Sequence, residues 1–358
     1  MLVRILSRWL VLTGRVPRLL QEWGAGMRRS FGYVCLFLGA LVLMVGVLAK
    51  PVLYHNLAKV PLDQKTTLIS TGQHMSALEA SAAGVKVLTD ATLQNTKIVV
   101  GIPAKAKGNS AFWQYLVVNK EVGGKDLSYS QEGVSFDRVT GQATNCCGDY
   151  LSVGTLDHPS AIQSSFTHKG LFFKFPFDTQ KITYQWWDGD LGRTEPMKFL
   201  RAQQVQGVQT YVFQQKTGPV TYGKQTGVPG ELFNTNKPVN ADEVYQNTRT
   251  LYVEPNTGLI IKGVEQQNKR LEAPGFSAVP ITEGTIGYTA ATIKKNVADL
   301  GSKGTLLGFL NGPLTWIGIL LGLLLMGAGA FLASGGSRAK GSMTGPQHAA
   351  DPNLVKQK

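Results

Sequence analysis

Two long stretches of the chain are apolar and carry no charged residue. Residues 31–49 read FGYVCLFLGALVLMVGVLA, and residues 304–337 are also uncharged, with their most apolar part at 313–332. At about 1.5 Å of rise per residue, either stretch can cross a hydrocarbon core of roughly 30 Å as a helix. The pattern predicts two transmembrane helices, at 31–50 and, with a short lead-in, at 304–334.

Two other interpretations of these stretches are open. Either stretch could be the buried core helix of a soluble domain, although soluble folds rarely contain uncharged runs of this length. The first stretch could be a cleavable signal peptide. It is longer than the usual apolar core of one, however, and Lys50-Pro51-Val52 lacks the small residues that a signal peptidase reads.

The positive charges nearest the two stretches predict the orientation, since cytoplasmic flanks are enriched in Lys and Arg. Basic residues outnumber Glu22 before the first stretch and Asp351 after the second. They are Arg4, Arg8, Arg15, Arg18, Arg28 and Arg29, then Arg338, Lys340, Lys356 and Lys358. Both termini are therefore expected in the cytoplasm, with residues 51–303 outside the inner membrane.

Charge also narrows the classes of partner. The formal net charge is +13, but residues 51–303 are nearly balanced, so the excess comes largely from the two ends. This distribution argues against a nucleic-acid-binding protein and favours contact of the ends with anionic lipid headgroups. Residues 1–30 are basic and begin with an amphipathic pattern typical of an interfacial helix, although Met27 is an alternative start. Residues 335–358 are expected to form a disordered cytoplasmic tail.

The segment between the stretches has the pattern of short β-strands. Runs rich in β-branched and aromatic residues, separated by turn residues, lie around Val99, Tyr115, Tyr184, Val212 and Tyr252. Thr-Gly turns at 135–141 and 252–258 predict hairpins, and Thr289 could cap a helix over about 290–300. The fold class expected is a mostly antiparallel β ectodomain, sandwich or barrel-like with minor helix, between two transmembrane α-helices.

An aromatic run in this segment supplies the candidate binding residues. Alternation over residues 171–177 would place Leu171, Phe173, Phe175 and Phe177 on one face, and Ile182, Tyr184 and Trp186 would share a face of the next strand. These side chains could simply fill a sandwich core. They could also line a groove for an acyl chain, with Trp187, Asp188 and Asp190 at its polar mouth to meet a sugar headgroup.

Asp188 and Asp190 also fit the D-x-D pattern, in which alternate carboxylates converge on a divalent metal in many glycosyltransferases. Gly189 between them is equally typical of a hairpin turn. Nucleotide sugars are not expected outside the cytoplasm, so the enzyme hypothesis ranks below a binding role. No cofactor, metal or catalytic residue is predicted.

The cysteines offer one candidate bond. Cys35 lies in the first apolar stretch, which leaves Cys146 and Cys147 in an oxidising compartment. Adjacent residues have Cα atoms about 3.8 Å apart, short of the usual disulfide range, so a bond between them would be strained. A vicinal disulfide is still the first choice, because two exposed thiols would otherwise be oxidised or cross-linked.

The apolar stretches also carry glycines at regular spacing. Gly32, Gly39 and Gly46 recur every seven residues, and Gly318 and Gly322 form a G-x-x-x-G pattern. Because glycine lets helices approach closely, these residues predict packing of the two spans on each other or on a larger transporter. General enrichment of glycine in membrane helices is the alternative.

Three motifs resemble those of the actinobacterial porin PorA family: residues 168–192 (HKGLFFKFPFDTQKITYQWWDGDLG), NCCGDY from Asn145, and LYVEPNTG from Leu251. The resemblance covers residues 27–332. It implies a protein of the mycolate-bearing or a related actinobacterial envelope. Some members look like a polar growth factor implicated in trehalose monomycolate traffic alongside MmpL-class transporters, and in lipoglycan maturation.

The leading expectation is therefore a non-enzymatic envelope-assembly factor that binds a lipid or glycolipid, an inner-membrane lipid transporter, or both. An envelope glycosyltransferase or accessory enzyme using Asp188 and Asp190 is the first alternative. A protein-only scaffold or pore component is the second. Pore formation by this chain alone is disfavoured, because membrane barrels span with alternating strands and contain no long apolar helix.

Overall fold

The computed structural model describes residues 18–81, 84–154, 159–164 and 166–334. These residues form two compact units. The first unit comprises the helical segments up to Leu48 and from Leu314. The second unit, Ala49–Pro313, lies between these segments in the sequence. Of the basic amphipathic segment predicted for residues 1–30, residues 1–17 lie outside the described residues, as does the tail predicted for 335–358, whereas residues 18–30 are helical.

The first unit is a pair of apolar helices, α1 (Arg18–Leu48) and α4 (Pro313–Ser334). Candidate spans lie at Met27–Leu57 and at Pro313–Ser334. In the first, a π-helix (Ala49–Tyr54) and a single turn of helix, α2 (His55–Leu57), follow α1 along the chain. Glycines of the two helices face one another: Gly32 with Gly329, Gly39 with Gly322, and Gly46 with Gly318. A Cβ at Gly39 would lie 2.9 Å from the Gly322 carbonyl oxygen, so the backbones touch. Insertion of the pair in a membrane stays a prediction.

The second unit is built on one antiparallel sheet of twelve strands within the described residues. Its order is β6-β5-β4-β3-β2-β1-β12-β11-β10-β9-β8-β7. The strands are β1 Lys65–Ser81, β2 Gly84–Gly101, β3 Ser110–Glu121, β4 Asp126–Asp137, β5 Tyr150–Gly154, β6 Gln163–Ser164, β7 Tyr184–Asp188, β8 Arg193–Val205, β9 Val208–Val228, β10 Val239–Val253, β11 Ile260–Glu272 and β12 Val279–Tyr288. The predicted β class is confirmed, with both hairpins, but as a single sheet rather than a two-sheet sandwich.

A crossing segment between β6 and β7 closes this sheet. Leu171 pairs with Gln142 on one side and with Trp186 of β7 on the other, and Ala143 pairs with Phe136 of β4. Leu171 therefore connects β7, at one edge of the sheet, with the segment that follows β4 near the other edge. Closure of this kind satisfies backbone groups that an open edge would leave unpaired.

The crossing segment corrects the predicted alternation. Residues 172–183 form no strand, and β7 begins only at Tyr184. Leu171 and Phe175 pack in one core cluster with Trp186 and Phe213, whereas Phe173 lies against a different cluster. Ile182 is 56% exposed and shares no face with Tyr184. The pattern misled because this stretch packs against both halves of the sheet instead of pairing as a regular strand.

The helix predicted after Thr289 is present and longer than expected. It is α3 (Ala290–Asn311), and the Thr289 hydroxyl accepts a hydrogen bond from the Thr292 N–H. The Asn296 amide donates to the carbonyls of Ile260 and Ile261, which ties α3 to the start of β11. Gly312 separates α3 from α4, so residues 304–311 belong to the helix of the β unit.

Candidate functional site

The closed sheet surrounds a cavity of about 1020 Å³. Residues of β1 to β5, β7 and β9 to β12 line it, together with the crossing segment and α3. Ile260 and Lys269, both in the wall, are separated by nine residues of β11, or about 30 Å of strand at about 3.3 Å per residue. The cavity is thus long and narrow, at the upper end of volumes usual for ligand sites.

The end of the cavity beside α3 is mostly apolar, apart from Lys59 and Lys303. Its wall contains Leu57, Val60, Phe173, Phe177, Leu259, Leu300 and Leu307. Behind it, the Trp113 and Phe136 rings pack edge to face at 4.8 Å, and Phe173 lies 5.2 Å from each of them. Such a surface favours an alkyl chain over water.

The middle of the wall is charged and organised around Arg249. Its guanidinium donates to Glu265 at 3.2 Å and to the Gln215 side-chain oxygen at 2.9 Å. Burial alone would lower the pKa of Arg249 and raise that of Glu265, but the attraction of the opposite charges outweighs it in both cases. Lys97 adds a positive charge 3.9 Å from Glu265. Both groups of the pair therefore stay ionised inside the protein.

The two aspartates of the D-x-D pattern face different partners. Asp188 is fully buried and accepts a hydrogen bond from the Tyr245 hydroxyl at 3.0 Å. Asp190 pairs with Lys269 at 2.6 Å. Burial raises the pKa of Asp188, against the opposing effect of Arg249. No group of side chains suited to a metal ion occurs among the described residues. The hairpin interpretation fits better, because the N–H of Asp190 donates to Asp188 across the β7–β8 turn.

A buried histidine connects the cavity wall to the loop that contains Cys146 and Cys147. No pattern in the sequence predicted this contact. His168 Nε2 lies 2.9 Å from Glu132, which lines the cavity, and Nδ1 lies 3.0 Å from Asp149. Burial lowers the pKa of His168, but hydrogen bonds and attraction from the two carboxylates raise it overall. Cys146 and Cys147, two residues before Asp149, are bonded to each other as a vicinal disulfide. The loop that carries them is joined to the crossing segment by the Asn145 side-chain amide, which donates to the His168 carbonyl at 2.9 Å.

The predicted binding residues divide into two sets. Those in the cavity wall are Phe173, Phe177, Trp186, Trp187 and Asp190. The others, Phe175, Tyr184 and Asp188, are buried and do not line the cavity. The aromatic strip is therefore partly core and partly wall.

Three side-chain donors in the wall have no hydrogen-bond partner within the described residues: Trp113 Nε1, Trp187 Nε1 and Lys174 Nζ. A buried donor left unpaired costs about 1–3 kcal/mol, more if charged. Unpaired polar groups in a cavity wall mark places where a ligand can bond.

Comparisons with known proteins agree with the motifs. A profile of the Porin PorA family matches residues 31–331, most of the chain. The chain is also 21% identical over 301 residues to a protein named Porin PorA from Corynebacterium amycolatum. That alignment covers 67% of this chain and 77% of the relative. The chain thus belongs to the Porin PorA family, a family whose name points to the cell envelope.

Proposed function

We propose that this protein is a non-enzymatic envelope-assembly factor whose β unit holds a lipid or glycolipid in its cavity. The observation that carries the proposal is the combination, in one narrow cavity, of an apolar end beside α3 and a charged middle around Arg249. An amphiphile matches both parts at once. Ten buried methylenes would contribute about 8 kcal/mol before the costs of association.

The topology completes the proposal. Arg28 and Arg29, just before the uncharged stretch 31–49, and the basic residues after α4 favour cytoplasmic termini and an external β unit at the inner membrane. The ligand would then come from the outer side of that membrane or from a transporter, with an MmpL-class transporter as the partner that the family resemblance suggests. Alkaline phosphatase fused after Lys340 should be inactive, and an active fusion would refute this orientation.

The family name suggests a second function, conduction through the closed sheet. The polar groups in the cavity favour it, but the outer face of the sheet does not. On β11, the outward residues Gln266, Asn268 and Arg270 alternate with the inward ones. A membrane barrel needs an apolar outer band, so we do not expect this sheet itself to span a bilayer.

A pair of adjacent valines on β3 tests the binding function. Val117 lines the cavity, whereas Val118 points to the opposite face of the same strand. Val117→Trp should fill the cavity and remove an amphiphile that co-purifies with the full chain, seen by native mass spectrometry, while Val118→Trp should keep it. A preparation that holds no amphiphile, even after incubation with lipid extract, would contradict the proposal. Lipid-bilayer conductance that Val117→Trp abolishes would support the pore instead.

A further inference from the structure

Lys174, in the crossing segment, is a buried amine without an acceptor. Its side chain lines the cavity, the residue is 7% exposed, and Nζ has no hydrogen-bond partner within the described residues. The ammonium lies 3.7 Å from the centre of the Phe177 ring. A ring face attracts a cation but does not replace the hydrogen bonds that water gives an ammonium.

The carboxylate that acts on Lys174 is already committed elsewhere. Asp137 accepts hydrogen bonds from the N–H groups of Val139 and Thr140, from the Thr140 hydroxyl and from the Asn109 amide. The negative charge of Asp137 offsets only part of the effect of burial on this amine. Burial therefore lowers the pKa of Lys174 to about 7. No acceptor within the described residues forms a hydrogen bond with the Lys174 ammonium.

A second unpaired donor lies in the same part of the wall. Trp113 Nε1 is buried without a partner in the described residues, and Phe177 packs against the hydrophobic cluster that contains Trp113. Both orphan groups donate, so the group that satisfies them must be an acceptor. Among acceptors, a negative one gains most from a buried ammonium, because charge-assisted hydrogen bonds are roughly twice as strong as neutral ones.

The cavity also carries unpaired positive charge at its α3 end. Lys59 and Lys303 line it, Lys303 is exposed, and neither makes an ion pair within the described residues. Positive charges at the mouth of a cleft raise the local concentration of anions. They would draw an acidic group towards Lys174.

We propose that Lys174 binds the acidic group, a carboxylate or a phosphate, of an amphiphile whose chain lies along the cavity, with Trp113 as the second donor. This inference rests on the proposed function and narrows its ligand class. Carboxylate and phosphate share the chemistry that the two donors require.

Matched probes separate the inference from the proposed function. The purified full chain, in non-ionic detergent at pH 7, would be offered oleate and oleyl alcohol in competition, with occupancy read by native mass spectrometry. Dioleoyl phosphatidate against dioleoylglycerol is the phosphate arm. We expect a preference of roughly tenfold or more for at least one acid over its neutral counterpart, from the usual strength of a charged hydrogen bond.

Variants assign that preference to the residue. Lys174→Met should abolish the preference, Lys174→Arg should retain part of it, and Lys303→Met should leave most of it. A preference unchanged in Lys174→Met, or absent from the wild type in both arms while the neutral amphiphiles bind, would overturn the inference alone. Failure of every probe to bind would instead overturn the proposed function and this inference with it. Thermal unfolding would verify that each variant is folded.

Discussion

Replacing Lys174 by methionine should stabilise the ligand-free protein, although it removes a charged residue. The unbranched methionine stem can occupy much of the same space against the Phe177 ring, but it brings no amine that must be dehydrated. The pKa of Lys174 falls from 10.5 to about 7 in the folded protein. At about 1.36 kcal/mol per pKa unit, this difference corresponds to a penalty of roughly 5 kcal/mol when the amine is protonated in both states. Water that enters the cavity will reduce the gain, so we expect about 1–4 kcal/mol.

The gain should depend on pH in a defined direction. Because the pKa of Lys174 is lower in the folded state, the protonated amine disfavours folding. Below pH 7 both states are protonated, and the penalty is present in full. Between pH 7 and 10.5 the unfolded chain binds more protons, so the wild type gains stability relative to Lys174→Met as pH rises. Above about pH 10.5 the difference due to charge should vanish.

Denaturant unfolding of the delipidated full chain at pH 6, 8 and 10 measures this difference. Lys303→Met is the matched control, because it removes a lysine from the cavity wall whose ammonium is exposed to solvent and not buried. Comparing variant with wild type at each pH cancels the other titrating groups. Equal stability at pH 6, or a loss of stability in Lys174→Met that does not vary with pH, would show that the amine is already solvated or paired.

Three further outcomes follow from the packing. Glu265→Gln should lower the free energy of unfolding by about 3 kcal/mol, since it leaves the buried Arg249 guanidinium without its carboxylate. Replacing both Arg249 and Glu265 by methionine should lower it by less. Phe175→Ala should cost about 3–5 kcal/mol. Phe173→Ala, in the cavity wall, should cost roughly half as much and weaken amphiphile binding; equal losses would refute the division. Gly39→Leu should lower the melting temperature in detergent, whereas Gly327→Leu, where an added Cβ meets nothing within 4 Å, should not.

Much of the fold could be predicted where local pattern decides. The strands around Val99, Tyr115, Val212 and Tyr252 are present, because their β-branched and aromatic residues suit a half-buried sheet. The cap at Thr289 is local as well. The sequence pattern did not predict β1 or the later part of β11, since polar residues occupy both faces of these strands. An inward face that lines a polar cavity does not show the usual alternation.

The site could be predicted only in part, for a different reason. Arg249 and Glu265 are cross-strand partners in the register of β10 and β11, and His168 meets Glu132 only because the crossing segment closes the sheet. Contacts of this kind depend on long-range pairing, which no single stretch of sequence encodes. The aromatic strip was found, but its split into core and wall depends on where the segment leaves the extended pattern at 172–183.

Among the buried polar groups of the cavity wall, those without a hydrogen-bond partner in the described residues bear most on the proposed function. Asp188 lies near Arg249 and bonds with Tyr245, and His168 lies between two carboxylates, so these buried polar groups are satisfied within the protein. Lys174 and Trp113 differ, since their donors are buried in the cavity wall without a partner in the described residues, as is Trp187 Nε1. A fold that satisfies its other buried charges has no structural use for an unpaired amine, and natural proteins concentrate such violations at functional sites. An unpaired amine in the cavity wall is a local source of instability that a bound acceptor would relieve, so the protein should be more stable with its ligand than without it.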